Sequence, residues 1–219
     1  TFADKTNDSR YDGTFTTVYR GNWTKNPANS GITSLNNANG LPVVPGAAVL
    51  SFLNTDPGTI VYPTGAGPSN IGAGEMPGRA DFVIAPRGIS RVVYPGLWKL
   101  GVYRTDNAGG LGQPNAGSTR PFNIAKFSEL YFIAAEAAVK GATTTAGRSA
   151  RDLINVIRAR AGIWSWDNNG NVAKVEDNSA AMIAATPVTI DIDYILGERS
   201  REYYGEGYRW YDLVRTQTW

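Results

Sequence analysis

The sequence predicts a mainly α-helical fold, with tetratricopeptide-like helical hairpins, long irregular loops and a few short strands. Residues 1–121 contain 18 of the 25 glycines and 11 of the 12 prolines, so turns interrupt this part of the chain. Residues 122–219 contain the segments with helical periodicity. We therefore predict two regions: a loop-rich embellishment region with short strands at 1–121, and a helical region at 122–219.

Short extended segments are the regular structure expected in the loop-rich region. The β-branched and aromatic run at 14–19 favours a strand, and residues 80–84 and 90–94 are weaker candidates. Loops as long as those between these segments are usually functional or packed on a larger body. Gly72 and Gly74 are followed by neither a helical pattern nor a Gly-Lys-Ser/Thr ending, which argues against a phosphate-binding loop.

A helical hairpin is predicted after residue 126. The first helix spans 127–140 and ends at Gly141. Its predicted apolar stripe consists of Leu130, Ile133, Ala134, Ala137 and Ala138. Ser149 and Asp152 have the spacing of a capping box, so the second helix is expected over 150–161. The pair covers about 40 residues, close to the length of a tetratricopeptide-type repeat.

Two further helices are predicted near the C-terminal end. Asp191 can cap a third helix. One face of that helix would carry Ile192, Ile195, Leu196, Arg199 and Tyr203. Glycines 205 and 207 interrupt it, and a short fourth helix is expected over 208–215. Residues 164–188 are expected to form a polar linker with a short helix at 179–185.

The composition excludes several kinds of chemistry. The chain has no cysteine and no histidine, so thiolate nucleophiles, Cys/His zinc sites and Ser-His catalysis cannot be built from it. All-oxygen cation sites and paired carboxylates stay open, but no metal and no cofactor is predicted. The net charge is +2 without a clustered basic face, so no nucleic-acid partner is expected. No apolar run approaches the roughly 20 residues of a membrane span.

Four acids in residues 198–212 suggest either a catalytic cleft or a structural network between helices. Each acid has an arginine three positions away, which predicts the pairs Glu198–Arg201, Glu202–Arg199, Glu206–Arg209 and Asp212–Arg215. Arg158 and Arg160 are possible further partners. Because such pairing keeps carboxylates ionised, it works against a general acid of the kind a glycoside hydrolase needs. We therefore predict a structural network, no catalytic residues and no enzyme activity.

The aromatic side chains in the same segment allow two interpretations. They could stack on a ligand, but rings at helical spacing more often belong to a core, which is the interpretation we favour. These rings are Tyr203, Tyr204, Tyr208, Trp210 and Tyr211.

Four segments, taken in order, resemble the SusD/RagB family. Residues 198–215 read ERSREYYGEGYRWYDLVR and are similar to the C-terminal signature of that family. Residues 126–137 (KFSELYFIAAEA) and 155–162 (NVIRARAG) resemble its two preceding helical motifs, with mild departures at Phe127, Ser128 and Phe132. Residues 94–99 (YPGLWK) resemble a strand-like segment that usually comes before them. Residues 1–93 resemble the family only in being loop-rich, with many glycines and prolines.

The resemblance implies a fold, a location and a function. The chain is expected to be a fragment of a larger SusD-like fold, from a surface lipoprotein of the Bacteroidetes outer membrane. Family members bind glycans, or sometimes peptides, for nutrient uptake, and pass them to a SusC-like TonB-dependent transporter. The lipid anchor, which would be the means of membrane association, is expected to lie outside this sequence. A helical protein-interaction scaffold without a small-molecule ligand stays open as an alternative.

An oligosaccharide site needs exposed aromatic rings beside polar groups that reach sugar hydroxyls. The loop-rich region offers these in a cluster of Tyr19, Arg20, Asn22 and Trp23, together with more distant candidates. The predicted ligand-binding residues are Trp23, Tyr19, Asn22, Tyr62, Arg79 and Asp81. Trp23 lies in a turn-rich context, between Gly21 and Pro27, which favours binding. The alternative is that this ring pins a loop to the helical body.

Overall fold

The computed structural model describes residues 2–20, 48–53, 82–91, 94–101, 121, 123–143 and 147–219. The contacts group the chain into two compact units. Unit 1 consists of residues 1–14, 121–168 and 172–219, and unit 2 of residues 15–120 and 169–171. The first fourteen residues thus group with the C-terminal helices, whereas the predicted organisation into regions 1–121 and 122–219 stays a prediction.

The secondary structure is mainly helical, as predicted. In chain order the helices are α1 Arg10–Thr14, α2 Ser128–Val139, α3 Ala150–Ala161, α4 Ser179–Ala184, α5 Ile192–Glu202 and α6 Tyr208–Thr216. The strands are β1 Phe15–Thr16, β2 Val18–Arg20, β3 Ala48–Phe52, β4 Phe82–Ile84, β5 Gly96–Leu97, β6 Ile163–Asp167 and β7 Val172–Asp177. Short 3-10 turns occur at Pro86–Gly88 and Trp98–Leu100.

The described residues of unit 2 form two small sheets. β1 pairs with β5 in antiparallel fashion, with Thr16 opposite Gly96. β3 lies between β2, which is antiparallel to it, and β4, which is parallel to it. The strand predicted at 14–19 is therefore two short strands, preceded by the end of α1 at Thr14.

The core of unit 1 lies between α2, α3 and α5. Its buried apolar residues include Phe132, Ile154, Ile157, Ile195 and Tyr203. Burying apolar side chains of this size stabilises the fold by about 1.5–3 kcal/mol each. The predicted hairpin of α2 and α3 is confirmed, since the two helices pack against each other.

The apolar stripe predicted for α2 is partly wrong: Ala134 and Ala138 pack against the core, but Leu130 and Ile133 do not. The buried side of the helix carries Phe132 and Ala135, whereas Leu130 and Ile133 are 56 % and 55 % exposed. Apolar residues surround almost the whole of α2, so their spacing alone does not select one face.

The predicted start of α3 is confirmed. The Ser149 hydroxyl accepts the Asp152 backbone N–H at 3.1 Å, and the Asp152 carboxylate accepts the Ser149 N–H at 3.1 Å. At the other end, a Cβ on Gly162 would lie 2.7 Å from the backbone carbon of Asn178. The absence of a side chain at Gly162 therefore allows the chain before α4 to approach the end of α3.

The last two helices also begin and end where the sequence indicates. The Asp191 carboxylate caps α5 by accepting the Tyr194 N–H at 2.8 Å. Gly205 and Gly207 separate α5 from α6 with φ angles of 79° and 84°, which favour glycine.

The sequence analysis missed the antiparallel hairpin of β6 and β7, which occupies much of the predicted polar linker. The short helix predicted within that linker is α4. A signal for the hairpin exists, because residues 168–171 read Asn-Asn-Gly-Asn between two runs of alternating character. Asn171 has a φ of 54°, as such turns require.

Candidate functional site

Tyr19 is the predicted ligand-binding residue that the structure describes. Trp23, Asn22, Tyr62, Arg79 and Asp81 lie outside the described residues, and their roles stay predictions. The Tyr19 side chain is on β2, and 40 % of the residue is exposed. It therefore meets the first requirement for stacking on a sugar, which is an accessible ring.

Two contacts hold the Tyr19 ring in place within unit 2. The ring packs edge-on against Phe52, with centroids 6.3 Å apart. The Gly96 backbone N–H donates to the Tyr19 hydroxyl, and a Cβ at Gly96 would lie 2.5 Å from that hydroxyl. Partial burial raises the pKa of Tyr19, so the phenol is neutral at pH 7.

Arg20, the next residue, forms a hydrogen bond within the protein. Its guanidinium donates to the backbone carbonyl of Asn169 in the same unit. The Asn169 carboxamide in turn accepts the N–H groups of Thr17 and Val18 at 2.7 and 3.1 Å. These contacts give Arg20 a structural role that fixes the backbone on either side of Tyr19.

The acids and arginines near the C-terminal end form an extended network in unit 1. Glu198 lies at its centre and is fully buried. Three arginines donate to its carboxylate: Arg10 at 2.6 Å, Arg158 at 2.9 Å and Arg201 at 2.6 Å. Burial alone raises the pKa of Glu198, but the charges of Arg10 and Arg201 outweigh it and lower the pKa to about 2.

Glu202, one helical turn further along α5, is bound in a similar way. Arg160 donates to its two carboxylate oxygens at 2.5 and 2.6 Å, and Arg10 reaches it at 3.4 Å. Burial raises the pKa of Glu202, but the charge and hydrogen bonds of Arg160, together with the charges of Arg10 and Lys126, lower it overall. Arg10 also binds Asp8 at 2.7 Å, so it joins three acids.

A second part of the network joins α2, α5 and α6. Arg199 donates to Asp212 at 2.9 Å and to Glu129 at 3.0 Å. Arg215 donates to Asp212 at 3.0 Å and to Glu136 at 2.6 Å. The hydrogen bond from Arg215 lowers the pKa of Glu136 to about 2. Every one of these five groups therefore has at least one ion-pair partner.

Two of the predicted pairs are confirmed, Glu198–Arg201 and Asp212–Arg215. The other two are wrong. Arg199 contacts Asp212 and Glu129 rather than Glu202, because it lies on the side of α5 that meets α2 and α6.

Glu206 pairs with Lys126 at 2.6 Å, and Arg209 donates to the carbonyl of Leu196. The glycines on both sides of Glu206 end the helix, so the three-residue spacing to Arg209 no longer places the two side chains on one face.

The sequence analysis missed four members of the network. They are Asp8, Arg10, Glu129 and Glu136. All four are distant in sequence from the signature they contact. A weak signal exists in α2, where Glu129 and Glu136 interrupt an otherwise apolar helix.

The aromatic segment is partly core and partly surface. Tyr203 is buried, packs against Phe132 and Tyr208, and shares a 2.8 Å hydrogen bond with Ser128. The core interpretation holds for Tyr203 but is wrong for Trp210 and Tyr211, which are 66 % and 73 % exposed.

Three carboxylates of the network do not have the divergent states that acid–base catalysis requires. The pKa values of Glu136, Glu198 and Glu202 are all lowered, so these groups are ionised at pH 7 and none serves as a general acid. Within the described residues, no group of three or more acids could hold a metal ion. No helix there has the length and apolar character to cross a membrane.

Comparisons with known proteins support the resemblance seen in the sequence. No curated protein matches the chain. A protein-family model with the description SusD family matches residues 94–218, which include α2 to α6 and most of the ion-pair network. Members of this family are binding proteins rather than enzymes, and the family suggests nutrient or glycan binding in general. The match covers more than half of the 219 residues, and the chain therefore belongs to the SusD family.

Proposed function

We propose that this protein binds oligosaccharides at the surface of the outer membrane and delivers them to a SusC-like TonB-dependent transporter. The observation that carries the proposal is the family match over residues 94–218. The ionised, arginine-paired carboxylates of unit 1 support a binding protein without enzyme activity. We propose that the ligand binds in unit 2, where all the predicted ligand-binding residues lie.

The proposed site is built around Tyr19 and includes Trp23, Asn22, Tyr62, Arg79 and Asp81. A held and accessible ring at Tyr19 supports it, because a preorganised ring loses little freedom when a sugar stacks on it. The other five residues supply a second type of ring, amides and charges that can bind sugar hydroxyls.

Binding measurements on the full-length protein test the proposal. We expect at least one hexasaccharide from a set of α-1,4-glucan, β-1,3-glucan, β-1,4-xylan and β-1,4-mannan to bind in calorimetry. Trp23→Ala should weaken binding while the melting temperature changes little. Trp210→Ala removes an exposed ring of unit 1 and is the matched control, expected to bind as the wild type does. A large loss of stability in Trp23→Ala would favour the loop-pinning role instead.

The proposed location and partner have their own test. We propose that a lipid group outside these 219 residues anchors the protein to the outer membrane of a Bacteroidetes cell. Labelling with a lipid precursor, protease treatment of intact cells and co-purification with a TonB-dependent transporter are the measurements. A protein that carries no lipid and fractionates away from the membrane would contradict this part of the proposal.

A protein-interaction scaffold is the second candidate function. Exposed apolar side chains on two neighbouring helices favour it, namely Phe127, Leu130 and Ile133 at α2 and Trp210, Tyr211 and Val214 on α6. Exposed apolar patches commonly mark interaction surfaces. A stable protein partner, together with no binding of any hexasaccharide, would support the scaffold over glycan binding.

A further inference from the structure

We propose that Asn169 is a deamidation site: the backbone nitrogen of Gly170 attacks its side-chain carboxamide, and the fold delays this reaction by binding that carboxamide. The inference goes beyond the proposed function and concerns a chemical modification of the protein. It is carried by the Asn-Gly sequence, by the exposure of Gly170 and by the hydrogen bonds of the Asn169 side chain in unit 2.

Asn169 and Gly170 lie in the turn between β6 and β7. A glycine after an asparagine favours deamidation, because its backbone nitrogen can approach the preceding carboxamide without hindrance from a side chain. The sequence contains one other such pair, Asn39–Gly40, which lies outside the described residues. Gly170 is exposed, so solvent reaches the amide group that must lose its proton.

The reaction needs water as its co-reactant. Once its amide proton has passed to solvent, the Gly170 nitrogen forms a bond to Cγ of Asn169. The bond from Cγ to Nδ2 then breaks, and the amino group takes up a proton and leaves as ammonia. Water opens the cyclic imide at one of its two carbonyl carbons. The product is an aspartate, or an isoaspartate whose backbone runs through the former side chain.

Three hydrogen bonds hold the Asn169 carboxamide against the backbone of unit 2. Its Oδ1 accepts the N–H groups of Thr17 and Val18 at 2.7 and 3.1 Å. Its Nδ2, which is the leaving group, donates to the carbonyl of Phe15 at 3.1 Å. The Arg20 guanidinium binds the backbone carbonyl of the same asparagine. Because the carboxamide must leave these partners to react, the fold slows the reaction relative to that of the unfolded chain.

The product cannot restore all of these contacts. An aspartate at this position has no side-chain N–H, so a carboxylate oxygen faces the Phe15 carbonyl in place of Nδ2. An isoaspartate also lengthens the backbone of the turn by one methylene and displaces the carbonyl that Arg20 binds. Since these contacts fix the backbone on either side of Tyr19, the modification loosens that part of unit 2.

Peptide mapping by mass spectrometry of the full-length protein, incubated at mildly alkaline pH, tests the site. In urea, Asn169 should convert to a mixture of aspartate and isoaspartate. In the folded protein the conversion should be at least about tenfold slower, because three hydrogen bonds must open and each contributes a factor of about two to ten. Gly170→Ala should slow the conversion in urea at least about fivefold, because its methyl group hinders the attack.

Arg20→Ala tests the hold on the turn. It should speed the conversion of Asn169 in the folded protein at least about threefold, because one of the contacts is removed. A conversion at the wild-type rate, or equal rates in the folded protein and in urea, would overturn the delay by the fold. An absence of conversion in urea would overturn the site itself.

A second variant keeps the inference testable if Arg20→Ala is unfolded by circular dichroism. Asn169→Asp carries the product side chain and should melt at a lower temperature than the wild type, because it faces the Phe15 carbonyl. Asn171→Asp adds the same charge at an exposed position of the same turn and is the matched control, expected to melt as the wild type does. Equal melting temperatures of the two variants would contradict the inferred loss of contacts.

Discussion

Nη1 of Arg158 lies 2.9 Å from Oε2 of Glu198, and both side chains are almost completely excluded from solvent. Nε of the same arginine donates to the carbonyl of Met182 at 3.0 Å, which ties α4 to the pair. A buried ion pair is weak evidence for stability by itself, since desolvating both charges offsets their attraction. Removing one partner is costly, however, because the other charge remains buried.

Glu198→Gln is expected to destabilise the protein by about 3–5 kcal/mol, because it leaves the buried Arg158 without its ion-pair partner and removes one of the three acids that bind Arg10. Urea unfolding followed by circular dichroism measures this. Glu176→Gln is the control, since Glu176 is on the surface with a distant lysine partner at 3.6 Å, and it should change stability by less than 1 kcal/mol. Equal effects of the two changes would show that the network contributes nothing beyond surface pairing.

The free energy of unfolding should fall as the pH is lowered from about 5 toward 2. The folded-state pKa of Glu198, about 2, lies below the ordinary value of 4.5, so the folded state favours the charged form. Its contribution is therefore complete above about pH 5 and is lost as the pH falls toward 2. Glu136 shifts in the same direction. Urea unfolding at pH 7, 5 and 3 should give a declining free energy, with a smaller decline in Glu198→Gln. A parallel decline in both proteins would contradict the assignment.

Gly162→Ala is expected to cost about 1–3 kcal/mol, because its Cβ would lie 2.7 Å from the backbone of both Asn178 and Ser179. Gly13→Ala is the matched control. It also lies in unit 1, and nothing lies within 4 Å of its added Cβ, so it should leave stability unchanged or slightly increase it. Thermal unfolding of the two variants gives the comparison, and an unaffected Gly162→Ala would show that this approach of the backbone can relax.

Ser149→Ala removes the cap of α3 and should cost about 1 kcal/mol. The serine to compare with it is Ser200, whose hydroxyl donates to the carbonyl of Leu196 within α5. Ser200→Ala should change stability by less than about 0.5 kcal/mol, because a helix-interior alanine is favourable. Chemical unfolding distinguishes the two, and similar losses at both positions would argue against the capping box as the cause.

The fold could be predicted where local chemistry decides it. Ser149, Asp191 and the glycines at 205 and 207 mark helix ends through their own side chains or backbone. The sequence therefore predicted α3 and α6 to within one residue and the start of α5. The face of α2 could not be predicted, because its orientation depends on Phe132 fitting against residues of other helices. The β6–β7 hairpin was missed because the polar residues around its turn were taken for a linker.

In the candidate site, too, local sequence predicts some contacts, whereas others depend on the fold. Two of the four predicted pairs three residues apart were found, Glu198–Arg201 and Asp212–Arg215. Arg10 could not be connected to Glu198 and Glu202 from spacing alone, since the fold brings them together. Tyr19 was chosen from residue type and context, and its role in binding stays a prediction.

The contact between Arg10 and Glu198 has a consequence for the order of events during synthesis. The two residues are 188 positions apart, so the ribosome makes the acceptor long after the donor. Closing so long a loop costs entropy before any contact is made. Until α5 has been translated, Arg10 lacks two of its three acids and α3 lacks the carboxylates that neutralise Arg158 and Arg160. We therefore expect unit 1 to stay incompletely folded, and dependent on chaperones, until nearly all of these 219 residues have been made.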